Sequence, residues 1–110
     1  MRATLHTAMY AVPVPDHAFA ERLGAVLRTA LLYRELTMEE LAHAVGFSTE
    51  SIRRWVRGDT NISAVDLAHL ADVLGVPADL LLDPPATRSE TLVRMAAFDA
   101  LRSDPGEPRP

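Results

Sequence analysis

The chain has 110 residues, 48% of them apolar, no cysteine and a formal net charge of −4. That length suits one domain with short appendages, and the apolar share supports a packed core; the lack of cysteine excludes a disulfide framework and thiolate metal sites. No apolar run approaches the ~20 residues of a membrane helix, and an N-terminus with a lone Arg2 does not read as a secretory signal, so a cytoplasmic location is expected.

Residues 1–15 contain Thr4, Met9, Tyr10 and Val12 before Pro13 and Pro15. Proline bars helix there, and an extended N-terminal segment is expected. A free arm, a strand pairing with another chain and a tail packed on the domain all remain open for it. A compact unit is expected over 16–83. Asp16 is placed to cap a first helix running to about Arg34. Its apolar residues Phe19, Leu23, Val26, Leu27, Ala30 and Leu31 recur at helical spacing, with Glu21, Arg22, Arg28 and Arg34 on the polar side.

Thr37-Met38-Glu39-Glu40 is a capping box, a hydroxyl followed three residues later by a carboxylate. Leu41, Ala42 and Val45 form the short apolar stripe of a second helix. Gly46 stands where that helix must end and the chain turn sharply. Ser48 caps a third helix over 49–57, which Gly58 ends. Ile52 and Trp55 are three apart and face inward, which leaves Thr49, Glu50, Arg53, Arg54 and Arg57 outside.

After a loop over 59–62, Ser63 and Asp66 open a fourth helix with the stripe Leu67, Leu70, Ala71 and Leu74, stopped at Gly75. Pro77 is expected in the first turn of a short fifth helix containing Leu80 and Leu81. Asp83-Pro84-Pro85 marks a boundary, and 84–103 is expected as a C-terminal unit. Within it a sixth helix reads from Ser89 to about Arg102. Leu92, Val93, Ala96, Ala97, Ala100 and Leu101 share one broad side, with Met95 and Phe98 off it, so burial on two sides is expected. Residues 104–110, SDPGEPRP with the preceding Ser103, read as a disordered tail.

An acidic balance disfavours nucleic-acid binding at first sight. Phosphate attraction, however, is local and screened over ~10 Å at moderate salt. Three arginines and no acid lie between Arg53 and Arg57, and the acids Asp66, Asp72, Asp79 and Asp83 lie elsewhere. All 11 cations are arginine. A coding sequence rich in G and C accounts for this, and so does a preference for forked guanidinium contacts.

Together, LTMEELAHAVGFSTESIRRW, GDTNIS and DLAHLADVLGVPADLLL resemble the Cro/repressor-type helix-turn-helix family. The resemblance spans residues 19–82 and is spread over four helices and their turns. Winged helices of the MerR or excisionase kind share a segment like SIRRWVRG, but they place a β-wing where Ser63–Leu82 reads as helix. The resemblance implies an all-α fold: a lambda-repressor-like five-helix domain, here with an extended N-terminal segment and an additional C-terminal helix. It implies that the second helix crosses the DNA backbone while the third enters the major groove. Thr49, Glu50, Arg53 and Arg54 are then the base-reading candidates, with Arg53 and Arg57 nearer the groove wall. Arg54 matches guanine O6 and N7, Glu50 the cytosine amino group, and Thr49 a thymine methyl. The phosphate-binding candidates are the amides of Thr37 and Met38, Ser48, Arg57 and Asn61.

The sequence departs from the family pattern in three ways. Met38 replaces a glutamine whose amide touches phosphate, and Asp59 stands in a loop that is usually basic. Leu31 and Val56 occupy the places of an arginine and a glutamate that form a partly buried ion pair. A joint apolar swap is physically sensible, since such a pair is often no more stabilising than packed hydrophobic residues, and the two side chains are expected to touch.

His6, His17, His43 and His69 lie on separate segments without metal-ligand spacing, and no Gly-rich phosphate loop or serine elbow appears. No catalysis, metal or cofactor is expected. One reading helix covers half a site, so a homodimer on a palindromic operator is expected, with Leu92, Val93, Ala96, Ala100 and Leu101 as dimerisation candidates. The expected function is a sequence-specific DNA-binding repressor; phage repressors, autoregulating antitoxins and stand-alone regulators all fit. The alternative is a protein-interaction module on the same fold, an antirepressor or antitoxin-type subunit.

Overall fold

The computed structural model describes residues 17–59 and 62–103. The Asp16 cap, the extended N-terminal segment with Arg2, Asn61 and the tail lie outside them. Among the described residues the fold is all helix: α1 His17–Arg34, α2 Met38–Val45, α3 Thr49–Arg57, α4 Ala64–Leu74, α5 Ala78–Leu82 and α6 Arg88–Ser103.

The central element is α1, against which both α3 and α6 pack, while α2 lies on α3 and α4, and α4 on α5. Leu23, Val26, Leu27, Ala30 and Leu31 bury one side of α1, as its spacing requires. The contact with α3 is set at Gly24. A Cβ there would lie 2.5 Å from Val56 O and 3.0 Å from Trp55 O, so only a residue without a side chain lets the α3 backbone come this close. One turn later Arg28 Nη2 donates to the same Val56 oxygen at 3.2 Å. Leu31 and Val56 are both buried in the single core cluster, consistent with apolar residues at those two positions.

The expected caps on α2, α3 and α4 form. Thr37 Oγ1 accepts from the Glu40 amide at 3.0 Å while Glu40 Oε1 accepts from the Thr37 amide at 2.8 Å, and Ser48 and Ser63 cap α3 and α4. Gly46 adopts φ 81°, the left-handed turn that joins α2 to α3. Phe47 then sets its ring edge-on to Trp55, centroids 5.0 Å apart, which ties the turn to α3. Pro77 is the cap residue of α5 and not part of its first turn.

The structure corrects α6 in two ways. It begins one residue earlier than expected, at Arg88, because Thr87 Oγ1 accepts from the Glu90 amide at 3.1 Å. Its packed side is also different. Met95, expected off the apolar side, is fully buried, as is Thr91, and Phe98 is half-buried. Val93 is 66% and Leu101 77% exposed, and Ala96, Ala97 and Ala100 are exposed, so one side is packed rather than two. The reason is polar. Thr91, Met95 and Asp99 fall on one helical row, and Asp99 must face Arg34.

Arg34 itself does not sit on a solvated side of α1 as expected. Its Nε donates to Leu74 O at 2.8 Å and its Nη2 to Gly75 O at 2.7 Å, while Nη1 and Nη2 each meet one Asp99 oxygen at 2.7 Å. One guanidinium thus closes the end of α4 and clamps α6. Arg22 Nε likewise reaches Pro84 O at 3.2 Å. These arginines serve the fold, which leaves those of α3 for other contacts.

Candidate nucleic-acid interface

The α3 helix divides cleanly into two sides. Ile52, Trp55 and Val56 are buried, whereas Glu50, Arg53, Arg54 and Arg57 are exposed and Thr49 is half-buried at the first helical position. Three guanidinium groups and two carboxylates lie along or beside the outer side. Glu50 Oε1 accepts from Arg53 Nη1 at 3.3 Å, and Glu50 Oε2 lies 3.8 Å from Arg57 Nη2. Asp59 Oδ2 accepts from Arg57 Nε at 2.8 Å. The Asp59 hydrogen bond leads in holding the Arg57 guanidinium above its ordinary range, with Asp59 and Glu50 charge attraction adding to it and desolvation opposing it.

Arg54 stands apart. It is exposed and makes no side-chain hydrogen bond or ion pair among the described residues. Its position is nevertheless fixed, because the neighbouring Trp55 is held in the core and the Arg54 carbonyl accepts from the Asp59 amide at 3.0 Å. A guanidinium held on a rigid helix presents a forked pair of donors that can meet two acceptors at once.

Of the phosphate candidates, the Thr37 amide is already donated to Glu40 and is not open. Met38 is half-buried against the core, and its amide, in the first turn of α2, has no intrahelical acceptor. The Ser48 hydroxyl donates to Ser51 Oγ at 3.1 Å, exposed and able to turn outward. Asn61 lies outside the described residues. The sequence reading took Glu50 as a base-reading candidate and Asp59 only as a departure from a basic loop. It missed Arg57 as the bridge between the two carboxylates. The available signal was spacing: Glu50 and Arg57 are two turns apart on one side.

On α6, Leu92 is half-buried, and Val93, Ala96, Ala100 and Leu101 lie on the outward side. No helix among the described residues is long and apolar enough to cross a membrane.

The helix-turn-helix family model matches residues 27–81, from the middle of α1 to α5, which is half of the chain. The chain belongs to this family. It is a helix-turn-helix protein of the Cro/repressor type, all-α as the resemblance implied. Among solved structures, the chain is similar to the clp gene regulator ClgR from Corynebacterium glutamicum, at 28% identity and a TM-score of 0.58 over 79% of this chain and 90% of that one. No curated protein matches it. Family and neighbour together support a DNA-binding transcriptional regulator.

Proposed function

We propose that this helix-turn-helix protein is a cytoplasmic, sequence-specific transcriptional repressor that binds a palindromic operator as a homodimer. The observation that carries the reading is the outer side of α3: Arg54 exposed and without an ion pair among the described residues, on a helix whose other side is sealed into the core. In this reading Thr49, Glu50, Arg53 and Arg54 meet base edges, while Arg57, Ser48, Asn61 and the Met38 amide hold phosphates. Repression needs only occupancy of a promoter, and it requires no further domain.

The outward side of α6 supplies the dimer contact. Val93 and Leu101 are large, apolar and well exposed, and the alanines between them permit close approach of a second helix. The inward side is occupied by Met95 and the Arg34–Asp99 pair, so a second copy is met by the outer residues without rearrangement. Two-fold pairing sets two α3 helices on half-sites about 34 Å apart.

Selection of bound sites from a random duplex pool tests the reading. A palindrome with half-sites one helical turn apart is expected; recovery of no enriched sequence refutes sequence reading. Sedimentation equilibrium tests the dimer: Val93→Glu with Leu101→Glu is expected to give monomers with unchanged helix content. One feature favours the alternative of a protein-interaction module, namely that two of the three α3 arginines are already paired with carboxylates. A protein that is not retained on heparin or duplex DNA even at low salt favours that alternative.

A further inference from the structure

We infer that Asp59 is a positioning residue that competes with DNA phosphate for Arg57, so that the duplex displaces an internal anion instead of meeting a bare cation. The inference rests on the DNA-binding reading above. Three observations carry it. First, the backbone sets where Asp59 lies: Gly58 N–H bonds Trp55 O at 3.0 Å and Asp59 N–H bonds Arg54 O at 3.0 Å, which turns the chain back over the last turn of α3. Second, from that position Asp59 Oδ2 takes the Arg57 Nε proton at 2.8 Å, while Glu50 lies 3.8 Å from Arg57 Nη2. The Nε and Nη2 donors of one guanidinium form the fork that a phosphate accepts bidentately, and here two carboxylates share it. Third, these side chains are all about half exposed, so the pairs are weak and solvent-screened, and a phosphate can replace them.

The consequence is a lowered and less salt-dependent affinity for any duplex. When phosphate takes Arg57, the contacts of Asp59 and Glu50 with that guanidinium are given up. Part of the gain from counterion release is thereby cancelled. Arg54, which has no such competitor among the described residues, keeps its full attraction to a base edge. Base preference therefore does not depend on Asp59.

The test is fluorescence anisotropy with a random-sequence duplex between 50 and 200 mM salt. The proteins compared are the full chain, Asp59→Asn, Arg57→Gln and the double variant, each shown to be folded by Trp55 fluorescence. Asp59→Asn keeps the shape and a neutral acceptor for Arg57. It is expected to bind the random duplex about fivefold more tightly at low salt, the scale of one charge acting a few ångströms away through water. The log–log salt slope is expected to steepen by up to about one unit. In the Arg57→Gln background the gain is expected to shrink to less than half, and the sites selected from a random pool are expected to stay the same. Unchanged affinity and slope in Asp59→Asn overturn the inference while leaving the DNA-binding reading intact. An equal gain with and without Arg57 overturns the competition for that residue. Failure of both the parent chain and Asp59→Asn to bind any duplex at 50 mM salt overturns the underlying reading itself.

Discussion

Arg34, in the last turn of α1, holds both carboxylate oxygens of Asp99 on α6 at 2.7 Å, and the same guanidinium donates to the carbonyls of Leu74 and Gly75. The side chains are 23% and 31% exposed, so the pair is partly shielded from solvent. It decides which side of α6 packs on the domain and which side stays outward.

The Arg34 hydrogen bond, more than any other contact, holds the Asp99 carboxyl below its ordinary range. The sign follows from linkage. The unfolded chain takes up the Asp99 proton at a higher pH than the folded one, so the stabilisation is complete above the ordinary aspartate value near 3.9 and fades as pH falls through the folded value. Asp99→Asn is expected to cost about 1–2 kcal/mol at pH 7, allowing for partial exposure, and to unfold with a shallower loss of stability in acid than the parent. Thermal unfolding at pH 7 and near pH 3 checks this; parallel losses in the two proteins refute it.

Gly24→Ala is expected to destabilise by about 1–3 kcal/mol, because the added methyl group meets the Val56 carbonyl and α3 must shift. Helix propensity alone predicts the opposite, a gain of about 1 kcal/mol. Urea unfolding followed by the single tryptophan, Trp55, decides between them.

Glu35 is the one non-glycine residue with positive φ among the described residues, at 58°, where α1 turns into the connection to α2. Leu36 N–H bonds back to Leu31 O at 2.9 Å and holds the turn. Left-handed geometry costs an L-residue about 1–2 kcal/mol, and glycine returns part of that gain through the greater freedom of the unfolded chain. Glu35→Gly is therefore expected to stabilise by about 0.5–1 kcal/mol, read as a higher denaturant midpoint with an unchanged slope. A lower midpoint refutes the strain argument.

On the selected operator, Arg54→Ala is expected to cost about 1–3 kcal/mol and to relax preference at a single base pair. Site selection with the variant measures this directly. An unaltered base profile removes Arg54 from the reading residues.

Much of the fold is legible in the sequence because it is written locally. Thr37, Ser48 and Ser63 announce helix starts, Gly46, Gly58 and Gly75 announce stops, and the apolar spacing of α1 to α5 names the buried residues, since caps and helical periodicity depend on neighbours within one or two turns. The outer side of α3 was legible for the same reason: Ile52 and Trp55 must turn inward, so the arginines turn out. The facing of α6 was not legible. Its residues are apolar nearly all round, so periodicity offered no choice, and an ion pair 65 positions apart in the chain selected the Met95 side. Gly24 carried its meaning only once α3 lay across it, and Arg57 gained Asp59 beside its helical neighbour Glu50 only when the turn at Gly58 brought that second carboxylate back over the helix. Contacts between residues distant in sequence come from packing, and packing exists only in three dimensions.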